Sequence, residues 1–221
     1  MPNAPWVQVS IDVLDLGKGM LLARMAEEAG ADWVETGTPL ITYYGLKAVT
    51  SIVGVCRRSP VLADLKAVDG VAKYFRESGR QGARIATVLA VAPDASIREA
   101  VRGGKEANVE VMGDLFAIAR ERLGRRSAEL QGLGVDYLLL HAGADEMAAD
   151  PGRDPLDGLA EVVRAVSIPV GAVTFDAEQA VRAVRAGASF VVVGEPLVSA
   201  PDAPEQLARF IRTVKSAGAS A

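Results

Sequence analysis

Ala29-Gly30-Ala31-Asp32 joins a predicted helix to a predicted strand, and three later junctions have the same form. They are Gln81-Gly82-Ala83-Arg84, Leu133-Gly134-Val135-Asp136 and Ala186-Gly187-Ala188-Ser189. The glycines are 52, 52 and 53 residues apart (82−30, 134−82 and 187−134). Glycine suits the left-handed position that ends a helix. Each interval spans two strand–helix units, so the repeat predicts eight units with near four-fold pseudo-symmetry.

The predicted strands are nearly continuous apolar runs, which is typical of strands covered on both faces. They are Trp6 to Asp12, Asp32 to Glu35, Val61 to Lys66, Arg84 to Leu89, Val109 to Met112, Val135 to His141, Ile168 to Val173 and Phe190 to Val193. Strands that alternate with helices predict a parallel sheet, and eight units predict a closed (β/α)₈ TIM barrel. We expect one domain over residues 1–221. A doubly wound open sheet competes, but the GxGxxG turn after its first strand is missing.

Composition narrows the classes of protein. Half of the 221 residues are apolar, which supplies a sizeable core, and the formal net charge of −4 offers no basic surface for nucleic acid. The single cysteine, Cys56, excludes an intrachain disulfide and fits a reducing compartment. No secretory leader is evident in Met1-Pro2-Asn3-Ala4-Pro5, and no apolar run reaches the ~20 residues of a membrane span. We therefore expect a cytoplasmic protein without membrane or nucleic-acid partners.

The third predicted strand carries charges of both signs, in Val61-Leu62-Ala63-Asp64-Leu65-Lys66-Ala67-Val68-Asp69. Side chains alternate along a strand, so Asp64 and Lys66 are expected on one face, and Asp69 can turn back toward them. A lysine between two carboxylates is costly to bury unless all three are paired. This stretch by itself fits a structural ion-pair cluster and a functional site equally well.

Polar residues also end other predicted strands. The full set is Asp12, Glu35, Asp64, Lys66, Thr87, Glu110 and His141, with Asp69 and Asp145 shortly after a strand. Active sites of (β/α)₈ barrels lie at the carboxyl ends of the strands, so convergence of this set at one rim favours a functional site. Each member also has a structural interpretation. Asp12 or Glu110 can pair with Lys66, Glu35 can cap a loop, Thr87 is a common strand residue, and His141 can be a core histidine.

These residue types indicate metal-assisted chemistry on a carbonyl compound. Glu35 and Asp64 can hold Mg²⁺, which prefers hard oxygen ligands and leaves positions open for substrate oxygens. A divalent ion polarises a carbonyl and stabilises an enediolate, and Lys66 adds positive charge beside the same oxygens. His141 suits proton transfer near neutral pH. The sequence contains no GxSxG elbow, Walker loop or Cys/His zinc cluster.

Four motifs in order along the chain resemble the orotidine 5′-phosphate decarboxylase superfamily. They are Asp12, Val34-Glu35-Thr36-Gly37-Thr38-Pro39, the DxKxxD motif Asp64-Leu65-Lys66-Ala67-Val68-Asp69, and His141-Ala142-Gly143-Ala144-Asp145. The resemblance runs from about Trp6 to Ile211. Within the superfamily it is strongest to the 3-hexulose-6-phosphate synthases and next to the 3-keto-L-gulonate-6-phosphate decarboxylases.

The resemblance implies a homodimer with active sites at the interface, where Asp69 reaches into the partner's site. It implies that Glu35 and Asp64 are the metal-associated carboxylates, that Lys66 lies beside the enediolate and that His141 transfers the proton. Asp12 is expected among the catalytic and substrate-binding residues, and Glu110 among the substrate-binding ones. The implied reaction adds the enediolate of ribulose 5-phosphate to formaldehyde. The related decarboxylase forms a similar enediolate by losing CO₂.

The loop after His141 favours the aldolase. The gulonate decarboxylases carry arginine where this chain has Ala142 and Ala144, whereas the synthases have small residues there.

The turns that bind the substrate's phosphate in the family depart from its pattern in this chain. Family members have a Gly-Gly turn after strand seven and a Gly-Arg or Gly-Gly turn after strand eight, and this chain has Gly171-Ala172-Val173 and Gly194-Glu195-Pro196 there.

Gly171, Ala172, Gly194 and Glu195 are the expected substrate-binding positions at these turns. Glu195 brings negative charge and Pro196 lacks a backbone donor. Either Glu195 points away and helix N–H groups bind phosphate, or the substrate is not a typical sugar phosphate. A non-catalytic barrel that has lost phosphate binding is a further alternative.

Overall fold

Eight parallel strands close into one barrel in sequence order in a computed structural model, which describes residues 4–218. The strands are β1 (Trp6–Ile11), β2 (Trp33–Thr36), β3 (Val61–Ala67), β4 (Ile85–Leu89), β5 (Glu110–Asp114), β6 (Tyr137–Leu140), β7 (Val170–Val173) and β8 (Phe190–Val193). The prediction of a (β/α)₈ barrel is confirmed. Residues 1–3 and 219–221 of the predicted domain, with the start of the segment searched for a leader, lie outside the described residues.

Helices alternate with the strands and cover the outside of the barrel. They are α1 (Leu16–Ala29), α2 (Thr38–Tyr44), α3 (Lys47–Val55), α4 (Val71–Arg80), α5 (Asp94–Ala107), α6 (Leu123–Leu133), α7 (Ala144–Ala149), α8 (Leu159–Ala165), α9 (Ala177–Arg185) and α10 (Ala203–Gly218). Within residues 4–218, none of these helices combines the length and apolar character needed to cross a membrane.

Rim segments differ from eight simple strand–helix units. Helix α2 precedes α3 after β2, and the chain forms a loop and a short 3₁₀ turn (Arg120–Arg122) before α6 begins. Helix α7 directly after the histidine loop was not predicted, because six residues carry too little apolar periodicity to reveal it. These differences lie in loops at the carboxyl ends of strands.

The four repeated glycines adopt the left-handed backbone that the sequence repeat predicts. Gly30, Gly82, Gly134 and Gly187 have φ values of 100°, 96°, 96° and 98°. An L-residue with a side chain is strained at such a φ, so each junction fixes where a helix stops and the next strand starts. The repeat therefore sets the spacing of strands around the barrel.

The barrel interior is a small apolar core separate from the layer between strands and helices. It consists of Trp33, Leu62, Ile85, Met112, Leu139, Phe190 and Val192. Gly171 on β7 leaves room for the Phe190 ring, because a Cβ atom at Gly171 would lie 2.1 Å from Phe190 Cε2. The filled interior lies beneath the polar residues at the carboxyl ends of the strands and closes that end of the site.

Gly171→Ala is expected to lower the free energy of unfolding by about 1–3 kcal/mol, since the added methyl group overlaps the Phe190 ring in a filled interior. Gly132→Ala is the matched control, because a Cβ there meets nothing within 4 Å and alanine favours the helix by up to about 1 kcal/mol. Urea denaturation at one pH measures both. Equal stability of the two variants would contradict this account of Gly171.

Candidate active site

The end of β3 brings a lysine and a carboxylate together on the pocket side of the barrel. Lys66 Nζ contacts Asp64 Oδ2 directly, as expected for alternate residues of one strand. The pairing of β3 with β4 shifts register between Ala63 and Ala67, and Lys66 has a φ of 43°. Its backbone N–H donates to Thr87 Oγ1 at 3.0 Å. Strained backbone of this kind is concentrated at functional sites, where surrounding contacts hold it in place.

Asp64 is buried, and its carboxylate accepts hydrogen bonds from three side chains. Thr87 Oγ1 donates to Oδ1 at 2.8 Å, and Thr38 Oγ1 and Lys66 Nζ donate to Oδ2. Burial raises the pKa of Asp64, but Lys66 and the two hydroxyls outweigh it and lower the pKa overall. For Lys66, burial lowers the pKa because it disfavours the charged ammonium. The carboxylates of Asp64 and Glu35 outweigh burial and raise the pKa of Lys66 overall. The pair is therefore a carboxylate and an ammonium at neutral pH.

Glu35, near the end of β2, is also buried and forms no ion pair of its own in the described residues. It accepts hydrogen bonds from Gln8 Nε2 and, at 2.9 Å, from Ser10 Oγ. Burial raises the pKa of Glu35 well above its ordinary value, and the charges of Asp64 and Asp12 raise it further. Asp12 also has a raised pKa, chiefly through burial, although a bond from Ser10 Oγ at 2.6 Å opposes this. The cluster thus contains more carboxyl groups than Lys66 can pair with, and burial together with this excess raises the pKa values of Glu35 and Asp12.

His141 and Asp114 form a second pair that lines the same pocket. His141 Nδ1 lies 3.0 Å from Asp114 Oδ2, and Asp114 Oδ1 accepts the Phe116 backbone N–H at 2.9 Å. Burial lowers the pKa of His141, but the buried Asp114 carboxylate outweighs it and raises the pKa. Asp114 thereby orients the imidazole and leaves Nε2 as the ring nitrogen for proton transfer.

One cavity of about 450 Å³ unites the two pairs at the carboxyl ends of the strands. Its lining includes Ser10, Asp12, Glu35, Thr38, Asp64, Lys66, Thr87, Asp114, Phe116, His141, Asp145, Glu146, Val173, Thr174, Phe175, Val192, Gly194 and Glu195. Among the predicted site residues, the structure brings together Asp12, Glu35, Asp64, Lys66, His141, Gly194 and Glu195. Thr87, for which an ordinary strand role was favoured, supports both Asp64 and the Lys66 backbone.

The placement of Glu110 at this rim is wrong. Glu110 is the first residue of β5 and is exposed, so it lies at the amino end of the barrel, opposite the pocket. The strand prediction stopped at Met112, whereas β5 continues to Asp114. Asn108 ends α5 in the left-handed conformation, with φ of 55°, and this cap is the sequence signal for the later strand start. Because alternate residues of a strand share a face, a strand that starts at Glu110 places Met112 and then Asp114 on the inward face.

Three further predicted residues lie away from the cavity of a single chain. Gly171 packs on Phe190 inside the barrel and Ala172 is fully buried, so the wall is built instead by the residues that follow them. Asp69 is exposed beyond β3 and does not line the cavity. Its expected place in a partner subunit's site stays a prediction.

The donor set fits Mg²⁺ only with help from a substrate. Within residues 4–218, no three His, Cys, Asp or Glu side chains are grouped so as to hold a metal ion by themselves. Glu35 and Asp64 each keep spare lone pairs, and the surplus of carboxyl groups around them favours a divalent cation. Mg²⁺ commonly binds one or two carboxylates and completes its shell with water and substrate oxygens. These residues fit that mode of binding.

The fold and the cavity define a (β/α)₈-barrel protein with a carboxylate–lysine–histidine site. The model of the orotidine 5′-phosphate decarboxylase / HUMPS family matches residues 5–210, and the chain belongs to this family. It is 36% identical over 156 residues to a 3-hexulose-6-phosphate synthase of Staphylococcus epidermidis, covering 71% of this chain and 72% of the relative. A synthase of Staphylococcus haemolyticus is equally similar over the same length.

Solved structures agree with this assignment. A crystal structure of 3-hexulose-6-phosphate synthase has a TM-score of 0.86 and 30% identity, over 96% of this chain and 99% of the other. A synthase from Salmonella typhimurium has a TM-score of 0.89 and 26% identity with the same coverage. A 3-keto-L-gulonate-6-phosphate decarboxylase from Vibrio cholerae, with a TM-score of 0.82 and 21% identity over 96% of this chain and 98% of the other, shares the fold.

Asp114→Asn is expected to lower the pKa of His141, because burial then acts without the compensating carboxylate. His141 is the only histidine, so its ring resonances in an NMR titration report this pKa directly. Since the wild-type pKa is raised above 6.5, the stability contributed by the charged pair is present below pH 6.5 and lost as pH rises through the folded-state pKa.

Glu121→Gln, on the exposed 3₁₀ turn, is the control and should leave the histidine titration unchanged. An unchanged pKa in Asp114→Asn would contradict the assigned pairing.

Proposed function

We propose that this protein is an Mg²⁺-dependent aldolase of the 3-hexulose-6-phosphate synthase type. It forms the enediolate of a ketose, with ribulose 5-phosphate as the reference substrate, and adds it to formaldehyde. The observation that carries the proposal is that the Asp64–Lys66 pair and the Asp114–His141 pair line one cavity. The synthase relatives support an enzyme of the lyase type.

The residues divide the reaction between them. Neutral His141 takes a proton from the carbon beside the ketose carbonyl, and the C–H electron pair moves into the enediolate. Protonated Lys66 stabilises the negative oxygens that develop, in a site where burial strengthens the interaction. The enediolate carbon then bonds to the formaldehyde carbon while the C=O π pair moves onto oxygen, and the resulting alkoxide takes the proton from the His141 imidazolium. When bound by Glu35 and Asp64, Mg²⁺ supplies positive charge that polarises the carbonyl.

The histidine loop supports addition to an aldehyde over decarboxylation. Ala142, Gly143 and Ala144 line the cavity with small, uncharged surfaces. The resemblance to the gulonate decarboxylases implies that an arginine on this loop helps to deliver the proton after CO₂ loss. This chain has Ala142 and Ala144 at those positions, so we favour the aldolase.

The proposal includes a homodimer in which Asp69 enters the partner's site. Large apolar side chains are exposed on the segments around α2 and after β3, where Tyr43 is 70% and Val68 45% exposed. Covering them with a second copy would remove apolar surface from water next to Asp69. We also propose a cytoplasmic location, which the buried, free Cys56 supports.

The direct test supplies purified protein with Mg²⁺, formaldehyde and either ribulose 5-phosphate or ribulose. Formaldehyde consumption and deuterium uptake from solvent into the carbon beside the ketose carbonyl are measured. The proposal predicts both, with loss of both on chelation of the metal. Release of CO₂ from 3-keto-L-gulonate 6-phosphate without aldol product would instead favour the decarboxylase.

Lys66→Ala is expected to lower deuterium uptake by about 10²-fold or more, since it removes the cation beside the enediolate. The variant stays folded but less stable, by about 3–5 kcal/mol, because buried Asp64 loses its counter-ion. Lys73→Ala, an exposed lysine on α4, is the control for both measurements.

Circular dichroism separates loss of chemistry from loss of fold. If Lys66→Ala unfolds, Lys66→Arg retains the charge with altered geometry, and it should be folded and still slow. Full activity in a folded Lys66→Arg would rule out a geometric role for the ammonium.

Mixing Lys66→Ala with Asp69→Ala subunits should restore activity that neither variant has alone. In a hybrid of two such subunits, one site contains both native residues and the other contains neither. Random pairing in a two-fold dimer gives about a quarter of the wild-type activity. Each variant unfolded and refolded by itself is the control, and no recovery after mixed refolding would mean that Asp69 does not act across an interface.

A further inference from the structure

One end of the cavity is built from the segments that follow β7 and β8. Val173, Thr174 and Phe175 line it from one side, and Gly194 and Glu195 from the other. In (β/α)₈ barrels these two segments frequently form a phosphate site from backbone N–H groups and a helix N-terminus. The donors and charges of this chain can therefore be compared with what a phosphate dianion needs.

The backbone donors after β7 are already used within the protein. Thr174 donates to Val192 O from its N–H at 2.8 Å and from its hydroxyl at 3.1 Å. The Phe175 N–H donates to Gln179 Oε1 at 2.8 Å. At the start of α9, the Asp176 carboxylate accepts the Gln179 N–H at 2.8 Å. This helix end thus carries its own carboxylate, so an incoming dianion would be repelled.

The segment after β8 brings a carboxylate and a proline to the same end of the cavity. Pro196 lacks the backbone N–H that a phosphate-binding turn would supply. Glu195 lines the cavity, and its Oε1 accepts the Ser199 hydroxyl at 2.5 Å. The Ser199 donor is therefore directed at a carboxylate, and that carboxylate is held at the cavity wall.

The rest of the cavity offers no compensating cation among its described lining residues. Besides the four carboxyl groups at the reactive end, Asp145, Glu146 and Glu195 line it, and its basic residues are Lys66 and His141. Both are paired with buried carboxylates. A bound Mg²⁺ would offset two charges at the reactive end and would leave the distal end negative.

We propose that the substrate carries no phosphate at this end, and that its distal part is an uncharged, hydroxyl-bearing tail. A hydroxyl group can donate to Glu195, while Phe175 and Val173 provide apolar contact for the carbon chain. The inference rests on the enediolate chemistry proposed above and concerns only the far end of the ketose. It separates this chain by substrate class from enzymes that bind sugar phosphates.

The test is binding by the Mg²⁺-loaded protein, measured by calorimetry with inorganic phosphate, ribulose 5-phosphate and ribulose. Wild-type protein should bind inorganic phosphate with a Kd above about 1 mM, and ribulose 5-phosphate no more tightly than ribulose. Glu195→Arg should bind inorganic phosphate and ribulose 5-phosphate about tenfold or more tightly than wild type. Glu178→Arg makes the same charge change at an exposed position on α9 outside the cavity and should have no effect.

Two outcomes would overturn the inference. One is wild-type protein that binds ribulose 5-phosphate tenfold more tightly than ribulose, with inorganic phosphate competing for the site. The other is a folded Glu195→Arg protein with no gain in phosphate affinity. Deuterium uptake is measured on the same samples and tests the proposed reaction separately. Preferential uptake into ribulose 5-phosphate would keep the reaction and reject the inference, whereas phosphate exclusion without uptake into either ketose would reject the reaction alone.

Discussion

The burial of one ammonium among several carboxylates is the constraint on which the rest of the site depends. Lys66 pairs with Asp64, and the charges of Asp64 and Asp12 lie close enough to Glu35 to raise its pKa. A buried ion pair seldom adds net stability, because desolvation of both charges offsets their attraction. Burying more carboxyl groups than cations costs more free energy than burying a matched pair. The fold tolerates it because a filled apolar interior and closed backbone pairing support the strands beneath.

The cluster also explains the unusual backbone at the end of β3. Alternation along a regular strand puts Asp64 and Lys66 on the same face, and the register shift brings the ammonium onto the carboxylate at a left-handed φ. Thr87 holds both parts, since its hydroxyl donates to Asp64 and accepts the Lys66 N–H. One hydroxyl on β4 thus links the strain in β3 to the orientation of its carboxylate.

The sequence predicted the barrel because its signals are local: glycine caps at φ near 100° and apolar runs between them. It also predicted that Asp12, Glu35, Asp64 and His141 lie together at the carboxyl ends of the strands, because polar residues at the ends of apolar strands are conspicuous. Asp114 was missed, since β5 was expected to stop two residues earlier and an asparagine cap is a weaker signal than glycine. The interior role of Gly171 depends on the ring of Phe190, a contact between strands that no local pattern reveals.

The two ends of the cavity differ in the kind of interaction they offer. At the reactive end, Lys66 and His141 each lie against a carboxylate, so charge can be redistributed there while a proton moves. At the distal end, the Thr174 and Phe175 backbone donors are bonded internally, and Glu195 is the ionisable residue that the segments after β7 and β8 contribute to the cavity. In the proposed reaction, the chemistry is therefore assigned to β2, β3, β5 and β6, and recognition of the far end of the substrate to the segments after β7 and β8. Similarity in the first region carries information about chemistry, and it carries none about the group that the second region recognises.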